Sequence, residues 1–510
     1  MAFDLDRLPQ SWKWVRLSEI TEELESGSRP KGGVRGIASG VPSIGGEHLA
    51  DDGAFDFHSI RYVPKSFATS MKRGRVRPQD ILIVKDGATT GKTSFVTENF
   101  PYGEAVLNEH VFRLRVFPQT ATQSYIFHFL RSPLGQKMIQ DSFRGSAQGG
   151  INQKFAKLVH VPIAPIPEQK RIVNKLELAF RQVSSSKQAL SKIYPILKRV
   201  RQSVLTKAFR GELTERDLGD PSEQPLIERI NEMRRGRERF RTRAKDKITS
   251  KSETIHPLQS EDLPQLPRGW VWVRLGQLIA EPLRNGKSAL PAQVSRGVPV
   301  LRLSAVTFKD FGPSNVKSCA LEGADVKDLW VKADDILIAR SNTREYVGMA
   351  AIYEGPNDLF VYPDLMIRAR ADKEIILPKF LAQFLDCQFA RDYFRDRAGG
   401  TAGSMPKISQ TDIESLPVPL APIREQEQVV KKIHDIFTRA DIVELAVKEG
   451  LRESAIIERV VLTRAFRGKL VSQNPQDEPV SMLLERTRTQ RSVTESKSGR
   501  QGLEEFASAP

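Results

Sequence analysis

Cysteine is almost missing from this chain. Two, Cys319 and Cys387, stand among 510 residues; they cannot build a disulfide framework, and no Cys/His cluster has zinc spacing. The seven histidines include no HxxH or HExxH pair. No run approaches ~18 consecutive apolar residues, and the opening MAFDLDRLPQ lacks the basic-then-apolar layout of a signal peptide. These absences predict a cytoplasmic chain with no membrane partner and no metal.

Catalytic motifs are missing too. GATTGKT at 87–93 imitates a phosphate loop, but only three residues separate Gly87 from Gly91 where four are required. Asp86 takes the place of the first glycine, and the following SFVT reads as a strand, not a helix, so a tight turn is expected. An amino-methyltransferase needs Asn/Asp-Pro-Pro-aromatic, and the single Asn-Pro, at Asn474–Pro475, is followed by Gln. Pro363–Asp364 has no acidic-x-Lys partner nearby to hold a nuclease magnesium.

What is abundant is positive charge. Lys and Arg outnumber Asp and Glu by 78 to 62, for a net +16. Such a surplus favours a polyanion, because each neutralised phosphate releases condensed counterions.

The chain also repeats itself. LPQSWKWVRLSEI at 8–20 returns as LPRGWVWVRLGQLI at 266–279, and GVP at 40–42 returns at 297–299. QDILIVK at 79–85 returns as DDILIAR at 334–340. INQKFAKLVHVPIAPIPEQ at 151–169 returns as ISQTDIESLPVPLAPIREQ at 408–426, and VLTKAFRGEL at 204–213 as VLTRAFRGKL at 461–470. The offset is 257 at Ile151 and Val204 and drifts by no more than three residues elsewhere. The chain is therefore read as two homologous halves, 1–257 and 258–510.

The halves diverge in two places. After DILI the first reads VKDGATTGKTSF and the second ARSNTREYVGMA; before IxQ the first reads FRGSAQGG and the second RAGGTAGSMPK. One frame with two unlike loop sets is what recognition on a rigid scaffold requires.

Each half begins with short β-like runs between Gly/Pro turns, with a helix expected near 124–140, giving an α+β globule. The prolines of VPIAPIPEQ lead out of it in extended conformation, and Glu168 suits the first turn of a helix. From Ile172 to Val204, apolar residues step by three or four. Pro195 should kink or interrupt that helix. Ile433 to Val461 repeats the stripe, weakened at Gly450. A stripe of some 35–40 residues is roughly 50–60 Å long, too long for a small globule. Two such stripes satisfy each other as a coiled coil, with Gly211 and Gly468 as helix stops. The stretch 228–251 is strongly basic and reads as a solvated linker.

The blocks PIAPIPEQKRIV and PLAPIREQEQVV, with the WxWVRL openings, the GVP turns and the DILI strands, resemble type I restriction specificity subunits over residues 8–490. The resemblance implies two target-recognition domains, 1–165 and 263–421. It implies spacer helices at 166–215 and 422–486, paired antiparallel with internal pseudo-twofold symmetry. A basic linker fills 216–262, and 487–510 is expected to be a disordered tail. It further implies a non-catalytic subunit that reads an asymmetric bipartite target in double-stranded DNA. Two modification (methyltransferase) subunits would dock on it and methylate adenine N6, and restriction/translocase subunits would join them in phage defence. S-adenosylmethionine, ATP and Mg would sit on those partners, with no cofactor on this chain.

The diverged loops supply the candidate DNA-binding residues. In the first half they are Lys85, Thr89, Thr90, Lys92, Arg144, Ser146, Gln148, Asn152 and Lys154. In the second they are Arg340, Ser341, Asn342, Thr343, Arg344, Thr401, Ser404 and Lys407. Such side chains can read base edges or hold phosphates, although Asn152 and Gln153 could instead brace the start of a helix. The alternative functions are a stand-alone DNA-binding protein and a nuclease with an unrecognised site.

Overall fold

A computed structural model describes residues 8–143, 149–214, 226–243, 255–258, 261–291, 297–400 and 405–486. The chain forms two compact units, 1–191 with 448–510, and 192–447. These are not the two sequence halves. Each unit takes its globule from one half and a helical segment from the other. No helix among the described residues is long and apolar enough to cross a membrane.

In the first unit, β1 (Lys13–Arg16), β2 (Thr21–Ser26), β3 (Val41–Ile44), β4 (Arg61–Val63), β5 (Ile81–Val84), β6 (Thr93–Phe95), β7 (Val106–Leu107) and β8 (Val111–Val116) come first. Helices α1 (Gln123–Arg131) and α2 (Pro133–Asp141), strand β9 (His160–Ile163) and helix α3 (Ile166–Ser191) follow. The main sheet is antiparallel in the order β2-β8-β5-β6, and a small sheet runs β4-β3-β7. The single helix expected at 124–140 is two. Pro133 cannot continue α1, and Ser132 restarts the chain by capping Gly135 N–H at 3.1 Å.

The run ILIV is apolar throughout because β5 is central and covered on both faces. Ile81 and Ile83 join a core with Tyr125 and Phe129. Leu82 and Val84 join a second core with Ile44 and Leu107.

The second unit holds α4 (Ile193–Phe209), α5 (Leu226–Arg243), β10 (Val271–Arg274), β11 (Arg284–Asn285), β12 (Val298–Leu301), β13 (Val316–Cys319), β14 (Ile336–Ala339), β15 (Ala350–Ile352) and β16 (Met366–Ala369). Helices α6 (Pro378–Leu385) and α7 (Gln388–Arg397), strand β17 (Pro417–Leu420) and the start of α8 (Ile423–Ala465) complete it. Its main sheet, β11-β16-β14-β15, has the connection order of the first. Ile336 and Ile338 again face one core and Leu337 and Ala339 another. Both cysteines are buried, and burial pushes the Cys387 thiol up to about 12.

The expectation of a solvated linker over 228–251 is corrected where that stretch is described, at 228–243. Residues 226–243 form α5, Ile230 and Ile255 enter the core, and Asn231 exchanges two hydrogen bonds with the Ile255 backbone at 2.8 and 3.1 Å. Leu226, Ile227 and Ile230 make one short apolar face inside the basic run, which its charge obscures.

The repeated motifs do the same work twice. The Trp12 indole donates to Glu168 at 3.0 Å, and the Trp270 indole to Glu425 at 2.8 Å. Glu168 is thus a buried acceptor as well as a first-turn charge, and burial holds its carboxyl above the ordinary value. Gln169 accepts from Thr122 N–H and donates to the carbonyls of Thr120 and Ala164, while Gln426 does likewise with Leu377, Ile375 and Ala421. Phe466 packs edge-on against Tyr125 and Phe129, as Phe209 does against Phe380 and Phe384. Gly468, at φ +65°, presses on Pro9 so closely that a Cβ would come within 2.3 Å. Gly211, at φ +69°, presses on Pro267 in the same way, at 2.1 Å. Each helix end therefore plugs the globule of the opposite half.

Within the first unit, α3 runs antiparallel to residues 448–465 of α8. Lys187 donates to Glu458 at 2.7 Å, and Gly450 gives room to Leu190, whose Cδ1 would lie 3.1 Å from a Cβ there. Within the second, α4 runs antiparallel to residues 423–447. Arg201 donates to Asp441 at 2.6 Å and Glu444 at 2.9 Å, and covers the Phe437 ring. The first helix is interrupted at Lys192, and Pro195 falls in the opening turn of α4. The proline lacks the N–H that would bond the Ser191 carbonyl, so the break lies one turn before it.

Candidate nucleic-acid interface

The diverged loops hang from a fixed anchor. Asp80 is fully buried just before β5, accepting from Arg115 at 2.5 Å and from the Arg77 N–H at 2.7 Å. Arg113 lies 3.7 Å from it and also binds Glu23 and Glu25. Desolvation raises the Asp80 carboxyl against the pull of these arginines. The second unit repeats the arrangement. Asp335 accepts from Arg370 at 2.6 Å and from Lys332 N–H at 2.8 Å, and Arg368 binds Glu281 at 2.9 Å. The residue before each aspartate has positive φ, 68° at Gln79 and 71° at Asp334. The start of the strand is thereby fixed in both units, so its far end delivers the loop to the same place.

At that far end the two diverged segments lie side by side. Ile151 N–H donates to the Lys85 carbonyl at 2.7 Å, and Asp86 bridges Gly150. Ile408 N–H donates to the Arg340 carbonyl at 3.0 Å, and Ser341 bridges Lys407. Segments 64 or more residues apart in sequence thus form one edge in each unit.

In the first unit Lys85 lies half-buried, 5.8 Å over the Phe112 ring and 3.9 Å from Asp86. Gly87 and Gly91 take positive φ in a closed hairpin turn, where the Thr90 hydroxyl donates to the Gly87 carbonyl at 2.7 Å. Strand β6 follows, as the sequence implied. Thr89 stands exposed at the tip. Lys92 is neutralised by Asp51 at 2.8 Å. Asn152 accepts from Lys154 N–H at 2.9 Å, bracing the one-turn helix Phe155–Leu158, and Gln153 donates to the Leu24 carbonyl. Lys154 is exposed. Arg144, Ser146 and Gln148 lie outside the described residues.

In the second unit Thr343, Arg344 and Lys407 are exposed, and Arg344 makes no hydrogen bond or ion pair with any described residue. Arg340 is half-buried, its Nε without a partner among the described residues. Asn342 accepts from Thr343 N–H and lies 3.4 Å from the Thr307 hydroxyl. Ser341 is 2 % exposed, because the bridge to Lys407 covers it. Thr401 and Ser404 lie outside the described residues.

One feature escaped the sequence reading. Arg29, Ser43, Glu47, Arg61, Asn108 and His110 line a concavity beside the first loop, and the His110 ring lies 2.6 Å from Asp86. The signal was the basic, glycine-rich run SRPKGGVRG at 28–36, where Gly32, Gly33 and Gly36 all take positive φ.

Residues 9–194 match the family described as the type I restriction modification DNA specificity domain. The EcoKI specificity subunit of Escherichia coli (strain K12) is 25% identical over 507 residues, spanning 96% of this chain and 98% of that protein. The StySPI specificity subunit of Salmonella potsdam matches at the same identity and coverage, 25%, 96% and 98%. Among solved structures, one described as the structural basis of complex assembly and conformational transition of the type I R-M system aligns at TM-score 0.63 and 18% identity. It covers 91% of this chain and 100% of that one. The HsdS subunit from Thermoanaerobacter tengcongensis aligns at TM-score 0.50 and 17% identity, covering 92% and 100%. These last two are likenesses of fold. With its paired EQ anchors, twice-built sheet and relatives along nearly its whole length, the chain is similar to the specificity subunits of type I restriction–modification systems, and residues 9–194 match the DNA specificity domain of that family.

Proposed function

We propose that each unit presents one DNA-reading edge, that the two edges read unlike half-sites of an asymmetric target, and that the chain performs no chemistry itself. The single observation behind this reading is that the same anchor and strand carry differently composed loops, GATTGK in one unit and SNTREY in the other. Arg and Lys at these edges can hold phosphates, and Asn, Ser and Thr can meet base edges in the major groove. The net +16 supports a salt-dependent contribution from the DNA backbone.

The antiparallel helices then serve as a coiled-coil spacer whose length sets the gap between half-sites. Two modification subunits dock on this frame and carry S-adenosylmethionine to adenine N6. Restriction subunits carry ATP and Mg.

Base-resolution mapping of methylated adenine, in cells with and without this gene, tests the reading. Bipartite sites that vanish with the gene are expected. Exchanging residues 8–160 for another such domain should alter one half-site only, and a change in both halves would refute independent reading. Methyl transfer by the purified chain alone would refute the division of labour.

A further inference from the structure

The offset of 257 relates four charged residues on the paired helices. Lys187 corresponds to Glu444, and Arg201 corresponds to Glu458. The observed contacts join opposite charges across this relation, Lys187 to Glu458 at 2.7 Å in one unit and Arg201 to Glu444 at 2.9 Å in the other.

Two copies of the first half, paired in the same geometry, would place Lys187 of one against Arg201 of the other, and two copies of the second half would place Glu444 against Glu458. Homotypic pairing is therefore like-charged at every one of these contacts. The surroundings reinforce the sorting. Between Arg181 and Arg201 there are six basic residues and no acidic one, whereas Asp435 to Glu458 carries six acidic against three basic, so the excess on each side is opposite. The apolar stripes do not discriminate, since both halves carry one. Charges flanking such a seam choose the partner.

We propose that Lys187, Arg201, Glu444 and Glu458 form a charge code selecting pairing between the two halves of one chain and rejecting pairing with the like half of a second copy. This is a specificity device for assembly, independent of any DNA target. It acts by repulsion in the wrong pair as well as attraction in the right one. Exposed ion pairs contribute modestly one by one, so the discrimination comes from two contacts changing sign together.

The test re-sorts the charges without changing their sum. In full-length Lys187→Glu/Glu444→Lys, the 187–458 and 201–444 contacts become like-charged, Arg201 keeps only Asp441 as an opposite charge, and both homotypic contacts become opposite. Light scattering after size exclusion at low salt should show the wild type as monomer and this variant as dimer or larger. The dimer-to-monomer ratio should rise roughly tenfold or more, reversing at high salt. The exchange Lys187→Glu/Arg201→Glu/Glu444→Lys/Glu458→Lys, made with Asp441→Asn to remove the carboxylate 2.6 Å from the Arg201 guanidinium, restores opposite charges within the chain and should be monomeric. A re-sorted variant that stays monomeric with the wild-type unfolding midpoint overturns the proposal. So does a monomer with a lowered midpoint, because homotypic pairing is then no competitor. If the re-sorted chain does not fold, Lys187→Gln/Glu444→Gln removes half the code without new repulsion. It should show concentration-dependent dimer, and unchanged mass at the highest concentration overturns the proposal.

Discussion

His128 in the first unit and Gln383 in the second stand at corresponding places on α1 and α6, and their difference separates two otherwise matched cores. Both carry a buried side-chain atom without a partner among the described residues, Nδ1 of His128 and Oε1 of Gln383. The histidine ring lies against Phe127 and Phe180. Burial, aided by the Arg131 charge, drives its pKa down to about 3. Glutamine has no proton to exchange. The frame accommodates either residue, and at this position only the first unit carries a group that titrates in acid.

The largest expected effect tests this contrast. The unfolded chain protonates His128 near its ordinary 6.5, but the folded chain does not until about 3. Stability is therefore complete above pH 6.5 and falls as pH drops through that window, by about 3 kcal/mol at pH 4. Denaturant unfolding of wild type against His128→Gln at pH 7 and pH 4 measures it. The variant should lose this part of the acid sensitivity, and an identical pH dependence would remove the contrast.

Next are the glutamines that tie each sheet to its helix. Gln169→Ala and Gln426→Ala each strip three hydrogen bonds in a buried site, for a loss of about 3 kcal/mol. Equal shifts in unfolding would sharpen the equivalence of the units, and one neutral substitution would break it.

Arg344→Ala comes third. An exposed arginine with no partner among the described residues should cost about 1–3 kcal/mol if it reads a base and relax one position of one half-site. If it holds a phosphate, binding weakens uniformly and the salt slope drops by about 1. Binding measured at several salt concentrations distinguishes these. Smallest is Asn231→Ala, which unties Ile255 and should cost about 1 kcal/mol in the second unit.

The duplication, the β5 and β14 strands and the two long helices were legible because each follows from a period or a repeat within the chain. The roles of Glu168 and Gln169 were not, because their partners, Trp12 and Thr120, are far away in sequence. Helix α5 was hidden by its own charge, which drowns an apolar face as short as Leu226, Ile227 and Ile230. In the candidate interface, sequence divergence picked out segments that the fold brings side by side, but it could not sort the side chains within them. Ser341 is sealed by a bridge and Lys92 is held by Asp51, and both depend on residues brought in from elsewhere. The concavity around Arg29 and His110 went unread because its members are scattered from residue 29 to 110.

The seating of Pro9 on Gly468, with Val480 N–H donating to the Ser11 carbonyl at 3.3 Å, brings residues 9–11 and 468–480 into one globule. Pro267 on Gly211 does the equivalent at mid-chain. Genes rewritten to start between the halves, with the old ends spliced by a short tether, should specify the same molecule.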